Sequence, residues 1–327
     1  MAQAAAPSKL KTKNIACPAA EYESKKRAFE IVSQSLDVQV QSFEKEIVVT
    51  GNGSLEKAVK VIEKIVSAQG RLADNDVMKL IEDVSTQFNI ANTTINVGST
   101  TFAAKTKGQA ECIKTIRLPA NDVCLLVGPA GTGKTFLACA HAAELFEKKA
   151  VDKIVVARPA VEAGEKLGYL PGGMEEKIDP YLQPIYDSFE KIWGAEKLKK
   201  MRAEKRLQIV PLGFLRGRTI EKAAIVGDEM QNATAEQMRM FITRLGTGSK
   251  MYICGDRYQS DLPTTEEHGL NYALRTLEDI EGFAIFQFAF SDTVRHPRVK
   301  AAEEAFARDR EAQKTQAPAA ANDSRQP

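Results

Sequence analysis

The residues with the clearest chemical potential form a glycine-rich loop. Residues 128–135 read GPAGTGKT; they follow the apolar run 123–127 and precede an alanine-rich stretch with helical composition. Glycines let backbone N–H groups wrap around phosphate oxygens, and a helix start adds a favourable field for an anion. The spacing places Lys134 to contact the β- and γ-phosphates and the Thr135 hydroxyl to bind Mg²⁺. The alternative, an ordinary glycine-rich turn, does not account for this strand, loop and helix order. The residues predicted to contact ATP here are Gly128, Pro129, Ala130, Gly131, Thr132, Gly133, Lys134, Thr135 and Phe136.

Two adjacent acids end a second apolar run. Residues 223–226 are Ala-Ala-Ile-Val, and Asp228 and Glu229 follow after one glycine. At the carboxyl end of a strand such side chains point into the ligand crevice. Asp228 is predicted to hold Mg²⁺ with Thr135, and Glu229 to orient and polarise the attacking water. An Asp-Glu pair alone could equally be two solvated acids, so this prediction depends on the P-loop upstream.

The elements that must position these residues are short β-rich runs that alternate with helical stretches. Such runs occupy residues 123–127, 154–157, 207–210, 223–226, 251–254 and 283–288. This alternation predicts an α/β fold, a three-layer P-loop NTPase with a mostly parallel sheet. The run at 251–254 is followed by Gly255-Asp256 and, three residues on, Gln259, a polar pair that could sense the γ-phosphate.

Composition divides the chain into four predicted parts. Residues 1–22 and 311–327 lack periodicity and are expected to be disordered. Residues 23–104 predict a small α+β domain without recognisable chemistry, and residues 105–310 hold the nucleotide motifs. The five cysteines include no C-x-x-C pair and the three histidines are scattered, which argues against a disulfide framework or zinc site. With no signal-like start or long apolar run, we expect a cytoplasmic protein.

Seven motifs in one order resemble the PhoH family, phosphate-starvation-inducible P-loop ATPases related to the superfamily 1 helicase core. The motifs are GPAGTGKT at 128–135, ARPAVEAGEKLGYLPG at 157–172, PLGFLRGRT at 211–219, GDEMQN at 227–232, MRMFITRLGTGSKM at 238–251, GDRYQSDLP at 255–263 and VRHP at 294–297. The resemblance covers about residues 105–300. It implies a RecA/helicase-like core, ATP hydrolysis with Mg²⁺, RNA or single-stranded nucleic acid as a partner, and a homo-oligomer, most often a hexamer.

The same resemblance implies roles for residues outside the two main motifs. Gln109 is similar to a glutamine that reads the adenine edge, and Gln231 and Gln259 to residues that couple nucleotide state to movement. Arg295 and Arg244 are the arginines that could contact the γ-phosphate, within the subunit or across a subunit boundary. The chain departs from the helicase pattern at Gly227 and Met230, where a bulkier apolar and a smaller residue are usual. No second motor core is evident, which argues against unwinding by a monomer.

A basic run precedes the Asp-Glu strand. Residues 191–222 contain ten Lys or Arg and three Glu. Such a run could bind nucleic-acid phosphates, or residues 197–206 could form a solvated helix face. Arg216 and Arg218 follow a turn, where a ligand-facing role is favoured; Arg158 and Glu162, after another strand, could also meet phosphate.

Three functions compete for this set of residues. The favoured one is a nucleic-acid-linked ATPase. A small-molecule kinase would use the same P-loop but transfer phosphate to an acceptor, and the glutamines after both acidic strands argue against it. A slowly hydrolysing, nucleotide-gated interaction protein is the third.

Overall fold

A computed structural model describes residues 11–51, 54–159, 174–263 and 267–295, with isolated positions between 298 and 305. The chain separates into two compact units between Thr93 and Thr94. The expected boundary at 104 is therefore eleven residues too late. The first ten residues and the tail predicted to be disordered, 311–327, lie outside the described residues, as does most of the motif at 157–172, Glu162 included.

The first unit is a three-stranded antiparallel sheet with three helices. Its elements are β1 (Lys11–Ala16), α1 (Ala19–Leu36), β2 (Gln39–Ser42), β3 (Glu46–Gly51), α2 (Leu55–Ser67) and α3 (Asp74–Asn92). The strand order is β1-β3-β2. Phe29, Ile47, Ile62 and Ile65 are among the side chains that fill its core.

The prediction of disorder over residues 1–22 is wrong for residues 11–22. β1 pairs along its length with β3, from Lys11 opposite Gly51 to Ala16 opposite Glu46. Only Ile15 of this strand is buried. Hydrogen bonds to β3 therefore hold β1 in place. A strand held in this way needs no regular spacing of apolar residues, so the sequence carried no periodic signal for it.

The second unit carries the predicted parallel sheet. A hairpin comes first, β4 (Thr94–Val97) and β5 (Thr100–Ala103), followed by α4 (Lys107–Arg117). The remaining elements are β6 (Val123–Val127), α5 (Lys134–Glu147), β7 (Lys153–Arg158), α6 (Met174–Trp193), α7 (Ala195–Ala203), β8 (Leu207–Pro211), β9 (Ala223–Gly227), α8 (Ala235–Ile242), β10 (Lys250–Gly255), α9 (Gly269–Thr276) and β11 (Phe283–Gln287). The hairpin belongs here because β4 packs against α5.

The strand order of the large sheet explains how distant motifs meet. The six strands run β11-β6-β10-β9-β7-β8, and every neighbouring pair is parallel. β6 and β9 are buried at every residue, as expected for the interior of a parallel sheet. All carboxyl ends therefore share one edge, where the P-loop after β6 meets the acids after β9. The predicted α/β fold with a parallel sheet is confirmed. Within the described residues no helix is long and apolar enough to cross a bilayer.

Candidate nucleotide site

The loop between β6 and α5 needs glycine at the points where other chain segments approach it. Gly131 has a φ of +80°, and a Cβ there would lie 2.6 Å from Nε of Arg295. Gly128 is equally crowded, since a Cβ would lie 2.7 Å from Cβ of Phe288. The backbone is therefore kept bare of side chains next to the start of α5, where the helix N-terminus favours an anion.

Lys134 is folded back onto the loop that precedes it. Its Nζ donates to the carbonyl oxygens of Gly128 at 2.7 Å and Pro129 at 2.8 Å. Burial lowers the pKa of Lys134, although nearby acidic groups, including Asp256, Glu229 and Asp228, favour the charged form. The ammonium group thus sits on the floor of the site with partners that a phosphate could replace.

Thr135 and Asp228 meet across the sheet edge. The Thr135 hydroxyl donates to Oδ1 of Asp228 at 2.6 Å, although the two residues are 93 positions apart in sequence. Asp228 is only 4% exposed, and its other oxygen lies 4.0 Å from Nη1 of Arg158. Burial raises the pKa of Asp228, and the adjacent Glu229 adds to this effect.

This pair fits the magnesium ion that a P-loop site implies. A hydroxyl and a carboxylate, both hard oxygen donors, are adjacent, and among the described residues the cation that faces the carboxylate, Arg158, stays 4.0 Å away. Mg²⁺ prefers this donor set and keeps several waters while bound by one or two protein groups. The chemistry of the two donors therefore suits the ion.

Glu229 begins a short 3-10 turn in a strained conformation. Its φ is +51°, in the left-handed region that non-glycine residues rarely adopt. The Gln231 amide nitrogen donates to the Glu229 carboxylate, while the Gln231 amide oxygen accepts from the Asp256 N–H at 3.1 Å. Gln231 thus links the acid after β9 to the end of β10, and a polar network joins the two strand ends.

The P-loop and the acidic strand end line a cleft of about 600 Å³. Lys134, Thr135, Asp228, Glu229 and Arg295 are brought together there. Helix α6 forms another wall, through its residues Pro184, Ser188 and Lys191. Sequence reasoning missed this wall because α6, although it follows the motif at 157–172, carries no nucleotide-binding pattern of its own, and Lys191 was considered only as part of the basic run.

The side chain of Gln109, which was predicted to read the adenine edge, forms hydrogen bonds with the backbone of its own subunit. It is only 7% exposed, its amide oxygen accepts from the Lys105 N–H at 2.8 Å, and its amide nitrogen donates to the Thr132 carbonyl at 2.9 Å. The side chain therefore ties the start of α4 to the P-loop and is not among the described residues that line the cleft.

Arg244 and Gln259 also lie away from the cleft lining of their own chain. The Arg244 guanidinium donates to the carbonyl oxygens of Met240 and Arg218 and to the Thr243 hydroxyl, so all three nitrogens have partners in the fold. Gln259 is exposed on the turn after β10. Within this subunit, neither residue therefore lies where it could make the expected contact with a γ-phosphate.

Arg295 does reach the cleft, and a backbone contact explains how. The Val294 N–H donates to the Gly131 carbonyl at 2.9 Å, which fastens the segment before Arg295 to the P-loop. His296 and Pro297, which complete the motif, lie outside the described residues. Of the two arginines predicted to contact the γ-phosphate, this one shares the cleft with Lys134 and Glu229.

Asp292 is a positioning residue that the sequence did not reveal. One carboxylate oxygen accepts from the Gly108 N–H at 2.9 Å and the other from the Ala289 N–H at 3.0 Å. A Cβ on Gly108 would lie 2.2 Å from the Asp292 carboxylate, so glycine is required there. The contact joins the start of α4 to the turn that leads to Arg295. The Gly108-Gln109 dipeptide was the sequence feature that could have indicated this contact.

Much of the basic run has partners within the fold. Lys197 bonds Glu147, the Arg202 guanidinium lies 4.2 Å from the centre of the Tyr186 ring, and Arg206 donates to the Asp152 carbonyl. These contacts favour the helix-face interpretation of residues 197–206. Arg216 differs, since its side chain is 81% exposed.

The described residues contain no cluster of three or more histidine, cysteine or acidic side chains that could hold a metal. His141 is a core residue of α5: its Nδ1 lies 2.7 Å from the Tyr252 hydroxyl, and burial lowers its pKa to about 3.

Comparison with known proteins adds to this geometry. A family model described as PhoH-like protein matches residues 101–307. The PhoH-like protein of Bacillus subtilis (strain 168) is 38% identical over 252 residues, which cover 77% of each chain. The PhoH-like protein of Mycobacterium tuberculosis (strain ATCC 25618 / H37Rv) is 46% identical over 208 residues, 64% of this chain and 58% of that one. Protein PhoH of Escherichia coli (strain K12) is 40% identical over 194 residues, 59% and 54% of the two chains.

Among solved structures, the Pif1 helicase from Candida albicans matches 57% of this chain and 40% of its own, at 17% identity and a TM-score of 0.30. That similarity is too low to bear on function, so the sheet topology described above defines the fold.

Proposed function

Because this chain belongs to the family of PhoH-like proteins and is a P-loop NTPase, we propose that it binds ATP with Mg²⁺ and hydrolyses it. The observation that carries the proposal is the Thr135 to Asp228 hydrogen bond of 2.6 Å. It brings the P-loop and the acidic strand end together in the cleft that Lys134 and Glu229 also line.

Binding begins with an exchange of partners at Lys134. The ammonium leaves the Gly128 and Pro129 carbonyls for the β- and γ-phosphates, while the loop N–H groups and the start of α5 surround the same anion. Thr135 and Asp228 would hold Mg²⁺, which when bound neutralises charge on the phosphate oxygens.

Hydrolysis then rests on Glu229. Its carboxylate, oriented by Gln231, accepts a hydrogen bond from the attacking water and receives its proton. Arg295, next to Gly131, stabilises the negative charge that builds on the γ-phosphoryl group. A positioned general base of this kind contributes roughly 10²- to 10⁴-fold to a rate.

We further propose that turnover is coupled to single-stranded nucleic acid, RNA in the first place, and that a homo-oligomer, most simply a hexamer, is the working form. Support comes from the PhoH-like resemblance and from the exposed Arg216 at the carboxyl edge of the sheet. Arg244, placed away from its own cleft, is the arginine to consider at a neighbouring subunit's site.

The test is ATP turnover by the whole chain without any phosphate acceptor, with and without single-stranded RNA, with particle mass followed by light scattering. We expect release of inorganic phosphate that RNA accelerates, from a particle of several subunits. Turnover only when a small-molecule acceptor is added would favour the kinase. Slow turnover that RNA does not change would favour the nucleotide-gated interaction protein.

A further inference from the structure

The turn after β8 holds an aromatic side chain out of the core. Residues Leu212–Leu215 form a 3-10 turn in which Leu212 and Leu215 are buried at 2% and 0% exposure. Between them, the Phe214 side chain is 50% exposed. Because both leucines are packed into the main core, the turn is fixed and the ring is held in solvent.

The described surroundings of this ring are open, and an arginine follows it two residues along the chain. A Cβ added at Gly213 or at Gly217 would meet no atom of the described residues within 4 Å, so that part of the chain leaves space around the turn. Arg216 lies 3.8 Å from Glu236, but the two side chains are 81% and 87% exposed, which makes this ion pair weak. The guanidinium therefore remains accessible to an anion beside Phe214.

The turn also lies on the functional edge of the sheet. β8 is parallel to β7, with Pro211 opposite Arg158. The carboxyl ends of β6, β10, β9 and β7 border the nucleotide cleft, and β8 comes next. Four strand spacings of about 4.8 Å place the turn roughly 19 Å from the P-loop along that edge.

We propose that Phe214 is a stacking platform for an unpaired base of a single-stranded nucleic acid and that Arg216 contacts a phosphate of the same strand. An aromatic ring can stack on any base that has a free face, and a neighbouring guanidinium binds phosphate bidentately. The inference rests on the proposed coupling to nucleic acid and names the side chains that provide it. A duplex offers no free base face, so this site selects single strands.

The chain contains a matched control for this aromatic side chain. Phe43, in the first unit, is 53% exposed, so its side chain is as accessible as that of Phe214. The three residues that follow it are Glu44, Lys45 and Glu46, whose net charge is negative and disfavours a phosphate backbone. The same Phe→Ala change at the two positions therefore separates a specific platform from the general loss of an exposed ring.

The experiment measures binding of a short labelled single-stranded RNA by fluorescence anisotropy across a salt series. Phe214→Ala should weaken binding roughly five-fold or more with an unchanged salt slope, because stacking releases no counterions. Arg216→Ala should make the slope shallower by about 0.7 log units for each RNA phosphate that the protein no longer neutralises. Phe214→Trp should keep wild-type affinity, and Phe43→Ala should have no effect.

An RNA of the same length with abasic sites isolates the base contact. Wild type should bind it more weakly than the intact strand, and Phe214→Ala should lose little further affinity. If Phe214→Ala binds the intact strand as wild type does, the platform is refuted while RNA binding stands. If Phe214→Ala instead lowers particle mass in light scattering, the ring packs against another copy and the inference is wrong. If wild type binds no RNA, the proposed coupling itself fails.

Discussion

Two buried polar clusters lie along the same helix, α5, and they differ in how completely their charges are partnered. One, at the start of the helix, pairs Thr135 with Asp228 and opens into the nucleotide cleft. The other, two turns further on, contains His141 and Glu144 and is closed. The first cluster is arranged to receive a ligand and the second to stabilise the fold.

In the closed cluster, three residues donate to the Glu144 carboxylate. Glu144 accepts from Nη2 of Arg117 at 2.9 Å, from the Asn96 N–H at 3.2 Å and from Lys148 at 3.2 Å. Burial of Glu144 opposes ionisation, but these donors outweigh it, so the pKa of Glu144 is lowered. The ionised Glu144 carboxylate therefore connects α5 to the β4–β5 hairpin and to α4.

The open cluster leaves its carboxylate short of positive charge. Asp228 is as buried as Glu144, yet its close partner is the Thr135 hydroxyl, and the Arg158 guanidinium stays 4.0 Å away. Burial therefore raises the pKa of Asp228, the opposite direction from Glu144. A buried acid without a matching cation costs stability, which is a reason to place it only where a cation will bind.

The largest expected effect on stability comes from the closed cluster. Glu144→Gln removes a buried charge, and because its partners Arg117 and Lys148 are 35% and 62% exposed, we expect a cost of about 2 kcal/mol in the free energy of unfolding. We expect this loss in denaturant unfolding, with turnover per folded molecule unchanged. Glu111→Gln is the control, because Glu111 is half exposed and pairs with Lys107 at 3.9 Å. Equal stability of the two variants would contradict the distinction between the clusters.

A second effect concerns pH. His141 has a folded pKa of about 3 because burial disfavours its charge; Glu144 partly opposes this, while Lys250, Arg117 and Lys148 add to it. An unfolded histidine has a pKa near 6.5, so the contribution of neutral His141 is complete above that pH and is lost as pH falls toward 3.

The expected slope is about 1.4 kcal/mol per pH unit below 6.5, or roughly 2 kcal/mol lost by pH 5. In His141→Gln this component should vanish, which unfolding measurements on both proteins between about pH 5 and pH 7 would reveal. Parallel pH profiles for wild type and His141→Gln would refute a neutral buried imidazole.

The sequence predicted the parts of the molecule that depend on local pattern. Apolar runs identified all six strands of the large sheet, and the GKT and Asp-Glu motifs identified groups that the structure brings within hydrogen-bond distance. Contacts between distant segments were not visible. Strand β1 is held by pairing, and Asp292 acts through Gly108, 184 residues away.

The roles predicted for Gln109 and Arg244 stay predictions, but the structure adds contacts that their motifs did not indicate. Gln109 and Arg244 match helicase-type positions, but a motif does not record which backbone atoms a side chain meets. Gln109 donates to the P-loop backbone, and Arg244 donates to the carbonyl oxygens of Met240 in α8 and of Arg218, so both side chains hold parts of this subunit together.

The most direct test of the account compares Glu229→Gln with wild type in two assays on the same preparation. Nucleotide affinity is measured with a fluorescent ATP analogue and Mg²⁺, and hydrolysis by single-turnover release of phosphate. We predict nearly unchanged affinity, an unchanged melting temperature and hydrolysis slowed by roughly 10²-fold or more, because the water loses its proton acceptor. Hydrolysis by Glu229→Gln at the wild-type rate would contradict the assignment of Glu229 as the group that orients the attacking water and accepts its proton.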